Sequence, residues 1–369
     1  MSQPNEQQSS EAAQASPSSS RPRFAIVGAG VIGRQHGLVT SQLTDRLELV
    51  AVADVVPERA AELTAARGGR PYPSLTGALA AEDIDVVVVC TPTGLHGTVA
   101  IEALEAGKHV IIEKPAEVTV AKTDEIIRAR DKAGTLVTVI SQHRFDPSTE
   151  KTLAAIRAGE FGRVSSGIAA IDWWRGQSYY DSGDWRGTWE LDGGGALMNQ
   201  GVHTVDLLVA ALGRPVEVFA YTGTLAHERI EVEDVATGVV RFESGALGVL
   251  HATTSAYPGL SARLQVHGDR GSAVIDNDQL AFFHATPVGQ DIEERLMGTT
   301  QVTSGGGDDT ASSNPGQLSD AHRMQYLNFL DALAGNARLR VDLETNRQSI
   351  AVITGAYESA RTGKPVRLR

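Results

Sequence analysis

The sequence predicts an α/β chain in two parts: an N-terminal doubly wound parallel sheet, and an α+β C-terminal domain with a large, mostly antiparallel open sheet. Three observations predict it. From residue 24 to about residue 140, short apolar runs alternate with helix-compatible segments across short loops, the rhythm of strand-helix-strand units. From about residue 216 to 284, strands recur without long helices, and the turns Glu243-Ser244-Gly245 and Gly268-Asp269-Arg270-Gly271 read as hairpins. Between these regions the run Asp192-Gly193-Gly194-Gly195 delivers the chain into a helix. The expected divisions are a disordered tail at 1–20, a first domain at 21–142 and a second at 143–369.

Bulk properties narrow the classes. A chain of 369 residues with 41% hydrophobic and 21% charged side chains can build two cores. Its formal net charge of -12 argues against a nucleic-acid or anionic-membrane partner, because neutralising phosphates takes a basic surface, yet a local anion pocket stays open. The single cysteine, Cys90, ends an apolar run and reads as a buried, inert thiol, so neither an internal disulfide nor a thiolate metal site is expected. With no 18-residue apolar run and no charged-then-apolar N-terminus, a cytoplasmic protein is expected. Residues 1–20 have no aromatic or β-branched side chain and cannot offset their ordering entropy.

In the first domain, the strand at Phe24 to Val27 runs straight into Gly28-Ala29-Gly30-Val31-Ile32-Gly33 and a helix. This is a G-x-G-x-x-G fingerprint in strand-turn-helix context. Gly28 permits the tight turn, Gly30 lets backbone approach a pyrophosphate, and Gly33 lets helix and strand pack. A second strand, Leu47 to Ala53, ends at Asp54, 21 residues beyond Gly33. A carboxylate there would bond ribose hydroxyls and repel a 2'-phosphate, so a Rossmann dinucleotide-binding domain preferring NAD to NADP is expected; a helix-entry cap before Pro57 is the alternative for Asp54. A helix from Pro57, a Gly/Pro-rich turn and a short helix at Leu75 lead to the valine-rich strand Ile84 to Cys90, suited to a sheet covered on both faces. The helix from Leu95 to Ala106, the strand His109 to Ile112, the helix Val120 to Ala133 and the strand Leu136 to Ile140 complete the domain. Ligands belong at the carboxyl ends of such strands, where Thr91, Pro92, Thr93, His96, Glu113 and Lys114 lie. Together with Gly28, Ala29, Gly30, Val31, Ile32, Gly33 and Asp54 these are the candidate cofactor-binding residues.

Beyond His143-Arg144-Phe145 a helix at Ser148 to Ala158 and a strand ending at Asp172 precede a loop that holds all four tryptophans within 17 residues. Trp173, Trp174, Tyr180 and Trp185 sit there among Gly, Ser, Asp and Arg175 rather than among aliphatics, so a binding wall for a polyhydroxylated ring is expected, with an oligomer contact as the rival. In the helix after the glycines, Leu197, Gly201, Val205, Leu208 and Leu212 fall on one arc at about 100° per residue, with Asn199, His203 and Asp206 on the opposite side. That polar face has no Lys or Arg, unlike an ordinary solvated one, and is a candidate site lining. Asn199, Asp206, His143, Arg144, Trp173, Trp174, Arg175, Tyr180 and Trp185 are the candidate substrate-binding residues. After the antiparallel strands, residues 298–318 read as a Gly/Ser/Thr/Asp-rich loop, and helices at Ser319 to Ala334 and Glu344 to Arg361 close the chain.

With these residues in hand, the chain from residue 23 onward resembles the glucose-fructose oxidoreductase, inositol dehydrogenase and related sugar-oxidoreductase family (Gfo/Idh/MocA). The resemblance is carried by the glycine fingerprint, Thr91-Pro92-Thr93-Gly94-Leu95-His96, Glu113-Lys114-Pro115, and Gly193-Gly194-Gly195 through His203 and Asp206. It implies that Lys114 is the active-site lysine and His203 the catalytic histidine. Asn199 stands where inositol dehydrogenase-like members carry Asp, which points away from myo-inositol and toward branches that include nucleotide-linked sugars. The implied activity is NAD-dependent oxidation of a secondary alcohol of a sugar or cyclitol, or the reverse, with ring carbon 3 as a narrower expectation. The implied partners are a small-molecule sugar and a second copy of the chain, as a homodimer or homotetramer built through the C-terminal sheet. The family also includes a sugar-responsive repressor, so a non-catalytic NAD sensor is the alternative. Metal-dependent hydrolysis is remote, since His203 and Asp206 have no third ligand in the sequence pattern, and no metal is expected.

Overall fold

The structure, a computed structural model, describes residues 21–290 and 315–368. The expected tail at 1–20 and residues 298–314 of the expected loop lie outside the described residues, while residues 315–318 already belong to a helix.

The first sheet is built from β1 (Arg23–Val27), α1 (Val31–Ser41), β2 (Glu48–Ala53), α2 (Pro57–Arg67), β3 (Arg70–Tyr72), α3 (Leu75–Ala81), β4 (Val86–Val89), α4 (His96–Glu105), β5 (His109–Ile112), α5 (Val120–Ala133) and β6 (Val137–Val139). Its strands are all parallel in the order β3-β2-β1-β4-β5-β6, so the order reverses between β1 and β4. Val27 pairs with both Ala53 and Val89, Val89 with Ile112, and Ile112 with Val139, which aligns the carboxyl ends along one edge. The crevice at that reversal is where a doubly wound sheet binds its ligand. β3 was hidden in what the sequence presents as a turn: Arg70-Pro71-Tyr72 is a short edge strand, the position that tolerates proline.

The second sheet follows α6 (Pro147–Arg157). It contains β7 (Val164–Asp172), then, after α7 (Gln177–Tyr180) and α8 (Val202–Leu212), β8 (Pro215–Gly223), β9 (Val235–Phe242), β10 (Leu247–Thr253), β11 (Ala262–Gly268), β12 (Gly271–Asp276) and β13 (Gln279–Ala285). After α9 (Pro315–Leu333) and α10 (Leu343–Thr362), β14 (Val366–Arg367) adds an eighth strand. The order is β13-β12-β11-β7-β10-β9-β8-β14, antiparallel throughout except for the parallel pair β7 and β10. α8 lies on one face, held close by strand glycines: a Cβ at Gly167 would stand 2.7 Å from Leu208 Cδ1. The other face leaves Tyr221, Val239, Leu247 and Val249 exposed.

The boundary at 142/143 separates the two sheets but not the two cores. Tyr326, Phe329 and Leu330 of α9 pack with Phe24, Ile26, Val86, Val88 and Ile111 on one face of the first sheet, and Leu343 and Ile350 of α10 pack on the other. A parallel sheet of valines must be covered on both faces, and the last two helices complete that cover, so the chain crosses back into its first domain.

Candidate active site

The glycine loop fits a dinucleotide. Gly28 has φ +97°, and a Cβ there would stand 2.5 Å from the Cys90 carbonyl oxygen, while one at Gly33 would stand 1.9 Å from Gly28 O. A Cβ at Gly30 would meet nothing within 4 Å, so the loop presents bare backbone to open space. Helix α1 begins beside it with no acidic residue in its first turn and with Val31 exposed, which leaves the positive end of the helix dipole for an anion. Asp54 Oδ2 accepts from Ala29 N at 2.7 Å and Oδ1 from Val56 N at 2.8 Å. The carboxylate therefore fastens the loop to the end of β2, and each oxygen keeps a lone pair for a ribose hydroxyl. Thr91 Oγ1, buried at the end of β4, has no partner among the described residues.

Opposite this edge the Gly193–Gly195 run enters not a regular α-helix but a π turn, Ala196–Gln200, in which Gly201 N bonds Ala196 O at 2.8 Å. Such turns occur often at functional sites. Glu233 pins this one: its Oε2 accepts from Gly195 N at 2.9 Å and its Oε1 from Leu197 N at 2.8 Å and Tyr357 OH at 2.9 Å. Burial pushes the Glu233 carboxyl up to about 7.

The π turn presents Asn199 to Lys114. Lys114 Nζ donates to the Asn199 carbonyl at 2.9 Å and lies 3.4 Å from its Oδ1, while Asn199 Nδ2 donates to Asp192 Oδ1 at 2.6 Å. Asp192 reaches the cleft because its loop docks on the first domain, where Gly94 N bonds Leu191 O at 3.0 Å. His203 lies half-buried beside them, and its ring makes no hydrogen bond to another described residue but packs edge-on against His143 with centroids 5.0 Å apart. Burial, then the Lys114 and His143 charges, hold the His203 pKa well below the ordinary imidazole value. Burial also lowers Lys114, an effect that the Arg186 and Arg175 charges reinforce. His143 goes the other way: burial opposes its charge, but Asp146 at 2.8 Å and Asp278 at 3.1 Å outweigh it and raise the ring to about 10. A neutral imidazole, an ammonium and an imidazolium thus share one cleft.

The aromatic loop lines the same cleft. Arg175 NH2 donates to Gln200 Oε1 at 3.2 Å, and its guanidinium lies 5.2 Å from both the Trp173 and Tyr179 ring centres. Arg186 lies 4.4 Å from the Trp185 and Tyr179 ring centres.

Lys114, His203, Asn199, His143, Arg175, Trp173 and Trp185 are therefore brought together, and the other expected site residues are used elsewhere. Asp206 lies three residues beyond His203, about 60° round the helix, and turns away from the cleft. It makes a buried bidentate pair with Arg144, at 2.6 and 2.7 Å, and accepts from Ser349 at 3.2 Å. Two such charges out of water must meet each other, so both serve to join the 142–145 turn, α8 and α10. Glu113 is buried and turned inward, with Oε1 2.8 Å from His36 Nε2 and Oε2 accepting from Lys114 N at 3.0 Å. His96 ties two strand-end loops, its ring nitrogens 2.8 and 2.9 Å from the Pro115 and Thr91 carbonyl oxygens. The Tyr180 hydroxyl is 2.8 Å from Thr254 Oγ1, deep in the second domain. Trp174 packs outside the cleft, edge-on to Tyr257. Tyr179 belongs to the aromatic loop that the sequence marks as a binding wall, while Asp192, Arg186 and Gln200 line the candidate site without having been assigned to it from the sequence. The density of arginines and aromatics between 173 and 189 was the available signal for Arg186.

Comparison with known proteins gives the chain's family and fold. Residues 22–141 match the model of the oxidoreductase family with an NAD-binding Rossmann fold, and residues 149–274 match that of the GFO/IDH/MocA C-terminal domain. Myo-inositol 2-dehydrogenase of Thermotoga maritima is 30% identical over 268 residues, 69% of this chain and 75% of the relative. Levoglucosan dehydrogenase of Pseudarthrobacter phenanthrenivorans is 27% identical, over 69% of this chain and 73% of the relative. Among solved structures, the WlbA dehydrogenase from Bordetella pertussis in complex with NADH and UDP-GlcNAcA is 34% identical. It superposes with a TM-score of 0.82, covering 95% of this chain and 99% of that one.

Proposed function

The chain belongs to the GFO/IDH/MocA oxidoreductase family, and from that premise we propose an NAD-dependent dehydrogenase, or ketoreductase in reverse, acting on a secondary alcohol of a sugar, sugar derivative or cyclitol. The observation that carries the reading is the meeting of Lys114, at the carboxyl edge of the dinucleotide-type sheet and bonded to the Asn199 carbonyl at 2.9 Å, with the ring of His203, unpaired among the described residues, from the helix that follows the same turn. When bound, an oxidised nicotinamide accepts the hydride lost by the alcohol carbon. His203, kept neutral, takes the hydroxyl proton as the carbonyl forms. The Lys114 ammonium stabilises the alkoxide that develops on the same oxygen. Asn199, anchored by Asp192, holds a neighbouring hydroxyl but takes no proton.

Asp54 supports NAD over NADP, since a 2'-phosphate would meet a carboxylate already fixed by Ala29 and Val56. Asn199 and the 34% identity with the UDP-GlcNAcA-binding dehydrogenase together favour a nucleotide-linked sugar, oxidised at ring carbon 3, over a free cyclitol. The open face of the second sheet, with Tyr221, Val239, Leu247 and Val249 exposed, supports a homodimer or homotetramer through that face. The test is NADH fluorescence on mixing protein, NAD and a panel of cyclitols, free sugars and nucleotide-linked sugars. A signal with one class identifies the substrate; silence across a wide panel would favour an NAD-binding sensor instead.

A further inference from the structure

We propose that Arg175, Arg186 and Lys114 form a subsite for an anionic group of the substrate, either a carboxylate on the sugar ring or a phosphoryl group linked to it. The proposal rests on the dehydrogenase reading and names the class of sugar that the site takes.

The first observation is charge without a partner. Several arginines that are part of hydrogen-bonded networks meet carboxylates, as Arg214 meets Glu243, Arg229 meets Asp181 and Arg340 meets Glu150. Arg175 and Arg186 make no ion pair among the described residues, and both bear on Lys114. Asp192 faces Lys114 and Arg186, and each of its oxygens accepts one bond inside the protein, from Asn199 Nδ2 at 2.6 Å and from Gly187 N at 2.9 Å. Three cations are held against two carboxylates, Asp192 and Glu113, and Glu113 is turned inward onto His36, so the cations repel one another in a half-buried cleft, an arrangement that a bound anion relieves.

The second observation is the hydrogen-bond inventory. Tyr179 OH accepts from Arg186 NH1 at 2.7 Å and from Gln200 Nε2 at 3.1 Å, which fills its lone pairs and leaves only its proton to offer. Arg175 Nε is buried with no partner among the described residues. Lys114 Nζ directs two of its three protons at Asn199 and keeps one. Around the two guanidinium groups and Lys114 Nζ the free capacity is mainly donor, the acceptors in the cleft being the His203 ring nitrogen and the remaining lone pairs of Asp192. A neutral sugar hydroxyl needs acceptors for its own protons, whereas a carboxylate or phosphoryl oxygen needs donors alone. The guanidinium groups are also held in place in advance, by the Trp173, Tyr179 and Trp185 rings.

The test is calorimetric titration of the NADH-loaded protein with D-glucose, D-glucuronate, UDP-glucose and UDP-glucuronate. A carboxylate subsite predicts that each acid binds roughly 10- to 100-fold tighter than its neutral counterpart. A phosphoryl subsite predicts instead that UDP-glucose gains over glucose and that the ring carboxylate adds nothing. In either case Arg175→Gln and Arg186→Gln shrink the anion preference. Equal binding of neutral and anionic sugars, binding of none of the four, or a preference untouched in both folded variants overturns the proposal. NADH formation is read separately on NAD-loaded protein. An anion preference without NADH formation keeps the subsite and sinks the dehydrogenase reading, and NADH formation without an anion preference does the reverse.

Discussion

Asn199 is the residue at which charge balance in the cleft is decided. Its amide nitrogen donates to Asp192 Oδ1 at 2.6 Å while its oxygens face Lys114, so an amide satisfies a carboxylate on one side and an ammonium on the other. Asn199→Asp would place two carboxylates within hydrogen-bond distance, and such a pair must share a proton. The expected outcome is a fall in kcat/KM of about 10-fold or more near pH 8 that partly recovers as the pH drops and the shared proton returns. An unchanged profile would show that Asp192 does not govern this position. The groups proposed for catalysis predict a profile of their own. His203, its pKa lowered, is neutral above that pKa, so activity falls as pH drops through it, on the acid side of an ordinary histidine. Lys114, also lowered, loses its charge as pH rises through its own pKa, so the alkaline limb of kcat/KM lies below that of an ordinary lysine.

At the scale of elements, the π turn is the feature that joins the domains chemically. It rests on Glu233, which receives Gly195 N, Leu197 N and Tyr357 OH and passes no charge to a basic partner. Glu233→Gln keeps one acceptor and turns an NH2 toward a backbone N–H, which should cost about 1–3 kcal/mol and lower kcat by loosening Asn199 and His203. The sign of the pH dependence follows from its raised pKa of about 7. The folded state favours the protonated acid, so its contribution is fully present below the unfolded carboxyl pKa and is lost as pH rises through about 7. Melting curves should therefore show the wild-type advantage over Glu233→Gln shrinking across that interval. A constant gap would mean that Glu233 does not titrate there. The regular 100° projection did not foresee this turn, because one i→i+5 bond leaves no mark in the spacing of apolar residues.

For the whole molecule, what was legible in the sequence was local. The fingerprint from Gly28 to Gly33, the valine run of β4 and the strand-end position of Lys114 each follow from neighbouring residues, and apart from the short edge strands β3 and β14 both sheets were foreseen with strand bounds within a few residues. What was not legible depended on long-range packing. The Arg144–Asp206 pair joins residues 62 apart, His36 meets Glu113 across 77, and α9 returns to the first sheet. Nothing in the sequence of Asp206 says that an arginine will take it from the cleft. The open face of the second sheet carries a prediction at this scale. If the proposed homo-oligomer forms through this face, Leu247→Lys with Val249→Lys should give monomers in light scattering, with little change in melting temperature at high protein dilution, because both side chains face away from the core. An unaltered assembly mass would place the interface elsewhere.

The account turns on Lys114 and His203 acting on the same hydroxyl. Single-turnover NADH formation by wild type, Lys114→Ala and His203→Ala, with NAD affinity measured in parallel by fluorescence quenching, tests that directly. The account predicts that each variant loses roughly 100-fold or more in the hydride-transfer rate while retaining NAD binding. Full single-turnover activity in either variant would contradict it.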